Sequence, residues 1–193
     1  LNPGDKGPNP YSMKVDKAEG KAPVAYYTVA RNRPSAMDDA TMFGILDTEK
    51  RAEPVTDALK ILVPGLKSIS VVPLGAQSQL YADIEGLPKK IPVNLLGDGT
   101  TRLLSMLLHV SSARSGYFLV DEIETGFHYT AMPTIWKTVY SMCKVNKCQM
   151  LATTHSYECL TAYASALKDL AGDDYSYVRF DSDGEALRVV PYD

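Results

Sequence analysis

Positive charge is not in excess: 20 lysines and arginines stand against 23 acidic residues, a net charge of −3. No global basic character therefore advertises nucleic acid, although a partner lobe carrying a basic surface would still allow DNA. Cysteine is scarce. The three present, Cys143, Cys148 and Cys159, are odd in number and lack zinc-type spacing, which reads as reduced thiols. No signal segment and no run of roughly twenty apolar residues is found, so the expected location is the cytoplasm, with no membrane partner. A phosphate-cradling Gly-x-x-x-x-Gly-Lys-Ser/Thr loop is missing too. The only Gly-Lys pair, Gly20-Lys21, is followed by Ala22 and lacks the earlier glycine. Taken with Leu1 at the first position, this reads as a piece of a larger polypeptide whose phosphate loop lies upstream or on another chain.

What is present fits an ordinary globular α/β protein, 45% hydrophobic and 22% charged, with enough chain for a sizeable core. Residues 1–23 are rich in Gly, Pro, Lys and Asp and read as a flexible lead-in. Pro23 to Ala30 has the composition of an edge or hairpin strand. A turn at Arg31-Asn32-Arg33-Pro34 follows, with Ser35 as cap of a weakly helical stretch. That arginine pair beside tyrosines reads as a solvated turn more readily than as a phosphate contact. Thr48 to Val63 reads as an amphipathic helix, regular from near Glu53 because of Pro54, and stopped by Pro64-Gly65. Lys67 to Pro73 and Gln79 to Ile84 predict two antiparallel strands around a Gly75 turn, and Leu87 to Val93 a further extended segment.

Three stretches in fixed order organise the remainder. The first is Leu95-Leu96-Gly97-Asp98-Gly99-Thr100, opening a helix from Thr100 with Leu103, Leu104, Leu107, Leu108 and Val110 on its core stripe. Ser111 to Gly116 closes that helix. The second, Tyr117-Phe118-Leu119-Val120-Asp121-Glu122, is an apolar run ending in two carboxylates, the pattern of a buried parallel strand. The third, Gln149-Met150-Leu151-Ala152-Thr153-Thr154-His155-Ser156, repeats it. Met132 to Lys144 between them reads as a helix, so the unit is strand–helix–strand. In open α/β sheets ligands bind at the carboxyl ends of the strands, where Asp121, Glu122 and His155 all fall. Tyr157 to Leu170 predicts a last helix ended by Gly172-Asp173. Tyr175 to Phe180 and Ala186 to Val190 then predict a hairpin around Asp181-Ser182-Asp183-Gly184.

These three blocks resemble the C-terminal half of an ABC-type ATPase nucleotide-binding domain. The branch is the soluble one of chromosome-maintenance and break-repair ATPases, overcoming-lysogenization-defect proteins and abortive-infection ATPases. Leu96-Gly97-Asp98-Gly99-Thr100 resembles a variant signature loop, Leu119-Val120-Asp121-Glu122 a Walker B strand, and Thr153-Thr154-His155-Ser156 a switch-histidine segment. The resemblance implies a partial P-loop NTPase fold, a parallel core sheet flanked by helices. In that reading 24–94 is a β/α subdomain and 95–193 carries the signature, Walker B and switch-histidine parts.

The resemblance also implies roles. Asp121 would hold Mg²⁺, Glu122 would act as general base, and His155 would sense the γ-phosphate of ATP. Gly97, Asp98, Gly99 and Thr100 would contact nucleotide held by a second subunit, through backbone amides with Thr100 or Arg102 helping. Asp98 stands where the family has a glycine and Gly97 where it has a serine, which removes a hydroxyl and adds a charge. Glu124-Thr125-Gly126 is an interface candidate, and His109 and His128 have no assigned role. The bland alternatives are a solvated acidic strand end, a core histidine and a simple helix-entry turn.

The expected function is ATP binding and hydrolysis within a homodimer closed around ATP, in DNA maintenance or phage defence, with DNA or an effector as further partner. The alternative is a non-hydrolysing ATP-gated module restraining a nuclease or toxin. A weaker third is a metal-dependent hydrolase using Asp121, Glu122 and His155 without nucleotide.

Overall fold

In the computed structural model, three parallel strands carry the candidate residues: β1 (Ala25–Thr28), β5 (Tyr117–Val120) and β6 (Gln149–Ala152), in the order β1-β5-β6. The structure describes residues 23–30, 36–168, 175–182, 184 and 187–192. The lead-in to residue 22, the Arg31–Ser35 turn and cap, and Gly172-Asp173 lie outside them.

The register Tyr27↔Leu119↔Leu151 and Thr28↔Val120↔Ala152 brings all three carboxyl ends to one edge. Phe118 and Val120 point to the buried face, with Tyr26 and Met150 beside them. The opposite face is open: Tyr27 is 60% exposed and Leu151 51%. The expected buried third strand is instead an exposed edge strand, because nothing among the described residues pairs with its outer side. β1 is a parallel edge strand rather than half of a hairpin.

Helix α3 (Asp98–Ser112) is the hub. It packs on β1 and β5 on one side, and on α1 (Ala36–Thr48), α2 (Glu53–Leu59) and α4 (Met132–Asn146) on the others. Its predicted apolar stripe is fully buried, and so are Arg102, Ser105, Met106 and Ser111. A helix with layers on every side buries positions that the periodicity of one stripe does not show. It starts at Asp98, two residues before the expected Thr100.

The predicted Thr48–Val63 helix is broken. The chain leaves α1 at Thr48, turns through Lys50 at a φ of +59°, and resumes as α2 at Glu53 with Pro54 in its first turn. α2 ends at Leu59, short of Val63. The antiparallel subdomain is β2 (Leu66–Leu74), β3 (Gln77–Ile84) and the two-residue β4 (Ile91–Pro92). Most of the expected Leu87–Val93 extension is thus irregular, and a single 3-10 turn over Val93–Leu96 delivers the chain to Gly97.

α5 (Tyr157–Leu167) is capped by Ser156, whose Oγ accepts from the Cys159 N–H. β7 (Tyr177–Ser182) and β8 (Leu187–Tyr192) form the closing hairpin. Asp181 and Ser182, expected in its turn, are the last residues of β7. Among the described residues no helix is long and apolar enough to cross a membrane.

Candidate nucleotide site at the carboxyl edge of the parallel sheet

The β5 chain continues its ladders past the end of the strand. Asp121 donates its N–H to Thr28 O at 2.9 Å, and Thr153 donates to Val120 O at 2.9 Å. Ile123 then donates to Thr153 O at 3.1 Å. Glu122, between these bonds, has a φ of +45°. A left-handed conformation costs a non-glycine residue about 1–2 kcal/mol, so it persists only where its surroundings fix it.

Those surroundings are explicit. Thr153 Oγ1 donates to Asp121 Oδ1 at 2.6 Å and accepts from the Glu122 N–H at 3.0 Å. The Glu122 carbonyl accepts from the Thr125 N–H at 2.9 Å and from Arg102 Nη2 at 3.1 Å. The Glu122 side chain is only lightly held, by Thr125 Oγ1 donating to Oε2 at 3.3 Å. Adjacent Asp121 and Glu122 are both half-buried, and their carboxylates are engaged by different neighbours, Thr153 and Thr125, consistent with separate tasks.

Across the edge, the His155 N–H donates to Glu124 Oε1 at 3.3 Å. The His155 side chain is exposed, and its ring makes no hydrogen bond among the described residues. The buried second oxygen of Glu124 makes no hydrogen bond among the described residues. The sheet therefore brings Asp121, Glu122 and the Thr153–His155 segment to one edge.

The Gly97–Gly99 loop meets the same region from α3. Gly97 has a φ of +99°, a backbone that glycine alone adopts without strain. Gly99 faces the loop after β5: a Cβ there would sit 3.0 Å from Gly126 O. The two loops pack backbone to backbone. Thr100 and Arg102, expected to help at a phosphate, turn inward instead. Thr100 is buried and its Oγ1 donates to Leu96 O at 3.2 Å. Arg102 is 5% exposed and donates to four main-chain carbonyls. Burial pulls its pKa down, while the carboxylates of Glu124, Glu122 and Asp121 oppose that shift.

His109 is a structural residue. Its Nδ1 lies 2.8 Å from Thr28 Oγ1, and its ring stacks on Tyr26 at 5.3 Å. His128 caps the 3-10 turn Tyr129–Ala131, its Nδ1 accepting from the Thr130 N–H.

Asp121 fits a cation: one oxygen is held by Thr153, and the other makes no hydrogen bond among the described residues. No group of three His, Cys, Asp or Glu residues among them converges into a metal cage of its own. Any ion here would complete its shell from elsewhere, as Mg²⁺ does with phosphate and water. Sequence reasoning missed the Thr153 hydroxyl and the clamp role of Arg102. The signal for the second was an arginine flanked by the apolar stripe of α3.

Comparison with known proteins agrees with this architecture. A family model described as "AAA domain, putative AbiEii toxin, Type IV TA system" matches residues 16–160. A Helicobacter pylori (strain ATCC 700392 / 26695) protein named "ATP/GTP phosphatase" is 26% identical over 94 residues, 47% of this chain and 25% of that protein. The chain thus spans about a quarter of that relative. Among solved structures, one from work on ATP-driven dimerization and DNA-stimulated activation of SMC ATPases superposes with a TM-score of 0.54. It has 12% identity and covers 79% of this chain and 89% of its own. An SmcHead bound to the C-winged helix domain of ScpA gives a TM-score of 0.52 at 12% identity, covering 82% of this chain and 51% of that one. At such identity the likeness is one of fold. With three-quarters of its length inside the family model, the chain belongs to the AAA-domain family described for putative AbiEii toxins of type IV toxin–antitoxin systems.

Proposed function

We propose that this chain is the catalytic part of an ATP-hydrolysing head that dimerises around ATP. The observation that carries the reading is the strand order β1-β5-β6, which gathers Asp121, Glu122 and the Thr153–His155 segment at one carboxyl edge. Family membership and the name of the Helicobacter pylori relative support the reaction class.

In this reading Asp121 holds a Mg²⁺ ion, which supplies charge neutralisation at the β- and γ-phosphates when bound. Glu122 orients the attacking water and takes its proton. His155, with a ring free to turn toward a ligand, donates a hydrogen bond to a γ-phosphate oxygen. Gly97, Asp98, Gly99 and Thr100 offer backbone N–H groups at the start of α3 to a nucleotide on a second subunit, where the helix dipole favours an anion.

The phosphate loop comes from a lobe upstream or on another chain; near residue 95 the antiparallel β2-β3-β4 subdomain gives way to the catalytic part, which β1 joins through its pairing with β5. The open sheet face supports that placement: Tyr27, Tyr117 and Leu151 share it, and all are exposed. Parallel sheets are normally covered on both faces, so this one is shaped to receive another layer.

A second reading, an ATP-gated dimer that restrains a partner nuclease or toxin without turnover, is favoured by one feature. Asp98 opens α3, exposed, and sets a carboxylate beside the expected phosphate position.

The test is Mg²⁺-ATP turnover by the longest native polypeptide containing this chain, beside Glu122→Gln. Loss of turnover with ATP-dependent dimers retained supports the ATPase. ATP-dependent dimers without turnover in either protein select the gated module. Absence of both ATP binding and turnover overturns the nucleotide reading.

A further inference from the structure

We propose that Arg102 is the positioning residue of this site. Its guanidinium fixes the turn that carries Asp121 and Glu122 and ties it to the helix that begins at Gly97–Gly99. The inference rests on the ATPase reading for its catalytic consequence, but its structural core is independent.

Arg102 lies one turn into α3 and is 5% exposed. A buried guanidinium is costly unless its donors are used; both terminal nitrogens are, while Nε is buried with no hydrogen-bond partner among the described residues. Here Nη1 faces the end of β1, donating to Val29 O at 3.5 Å and Ala30 O at 3.4 Å. Nη2 faces the turn after β5, donating to Asp121 O at 3.3 Å and Glu122 O at 3.1 Å. One planar fork therefore bridges the carboxyl ends of two neighbouring strands.

The same side chain passes beside the loop it positions. A Cβ on Gly126 would lie 3.5 Å from Arg102 Cδ, so the loop following Glu122 lies against the arginine stem. Gly99, three residues before Arg102, contacts that loop from the other side. Movement of the start of α3 is thus transmitted to the Glu122 backbone by direct contact.

Glu122 needs such support because its φ is +45°. Thr153 holds its N–H; Thr125 and Arg102 share its carbonyl. Of these three, only Arg102 reaches from another layer of the fold. Lysine carries its three donors on one nitrogen and lacks the planar fork whose two separate nitrogens face the two strand ends.

The orientation of Glu122 matters when water attacks, whereas nucleotide affinity comes from phosphate contacts elsewhere. Loss of the clamp therefore lowers kcat with little effect on KM. The experiment compares the parent, Arg102→Lys and Arg102→Met in the full-length polypeptide that contains this chain. It measures Mg²⁺-ATP kinetics, thermal unfolding and amide hydrogen exchange.

The expected result for Arg102→Lys is a fall in kcat of about tenfold or more, with KM within about threefold of the parent. Amide protection is lost at residues 121–127 and kept elsewhere. Parental kcat and parental exchange at 121–127 in Arg102→Lys overturn the proposal. So does a fall in kcat matched by loss of protection throughout the fold, which marks a merely structural arginine. Should Arg102→Met fail to fold, Arg102→Lys carries the test. If the parent itself shows no turnover, the ATPase reading fails, and exchange at 121–127 alone decides whether Arg102 positions the turn.

Discussion

Thr153 Oγ1 stands 2.6 Å from Asp121 Oδ1, joining the end of one parallel strand to the carboxylate that ends its neighbour. The same oxygen accepts the Glu122 N–H, so one hydroxyl orients one carboxylate and anchors the backbone of the next. Replacing Thr153 by valine keeps the shape and removes both bonds. Thr153→Val is expected to cost about 1–2 kcal/mol of stability and to lower ATP turnover about tenfold or more. Thr153→Ser is expected to retain most of both. Urea unfolding and steady-state kinetics check the pair; equal behaviour of the two variants would remove the hydroxyl from the argument.

Asp39 on α1 is 4% exposed, and its carboxyl is raised to about 6, chiefly by burial, with Ser105 opposing and Asp38 reinforcing the shift. A folded-state pKa above the unfolded one means that the folded protein binds more protons. The contribution of Asp39 to stability is therefore greatest below about pH 4 and is lost as pH rises through about 6. The swing is on the order of 2–3 kcal/mol. Asp39→Asn is expected to remove that slope and to raise the unfolding midpoint at pH 8, as measured by denaturation across pH.

His109 works in the opposite direction. Burial lowers its pKa, against a smaller pull from Asp38, so the folded state favours the neutral ring beside Thr28. Here the unfolded chain binds more protons, and stability is lost as pH falls below the ordinary histidine value of about 6.5. His109→Gln is expected to lessen the acid sensitivity that remains in the Asp39→Asn background. An unchanged profile below pH 6.5 would contradict this assignment.

Gly99→Ala tests the contact between the two loops. The new methyl would meet Gly126 O at 3.0 Å, forcing the loops apart by a few tenths of an ångström. The expected stability cost is about 1 kcal/mol, with a larger proportional loss of turnover because the strain falls on the loop that follows Glu122. Unchanged kinetics would show that the loops need not touch.

Arg51 is a stability residue far from the chemistry. Its guanidinium donates to Ser111 O at 2.5 Å and to Asn146 Oδ1 at 3.2 Å, binding the α1–α2 turn to the ends of α3 and α4. Arg51→Met is expected to cost about 1–3 kcal/mol in denaturant unfolding and to leave the KM for ATP unchanged.

The elements readable from sequence were those whose signal is local. Tyr117–Val120 and Met132–Asn146 follow their hydrophobic periods within a residue or two. Of the helix expected over Thr48–Val63, the regular part begins at Glu53 as Pro54 indicated, but Thr48 closes the preceding helix and Lys50, with a left-handed backbone, turns the chain between the two. The burial expected of Gln149–Ala152 failed for a different reason: its apolar composition suits a covered strand, but among the described residues it is an exposed edge strand.

Sequence by itself determined the order of strand, helix and strand, and with it the arrival of Asp121, Glu122 and His155 at one edge. A period of two or of 3.6 is written in consecutive residues, and parallel crossovers leave few topologies open. Tertiary structure alone decided which of the neighbouring polar groups serve that edge. Arg102 is drawn inward to carbonyls 72 and 20 residues away, and Thr153 to a carboxylate 32 residues away. Such bonds depend on the geometry of strand ends and loop packing, which no local pattern of residues encodes.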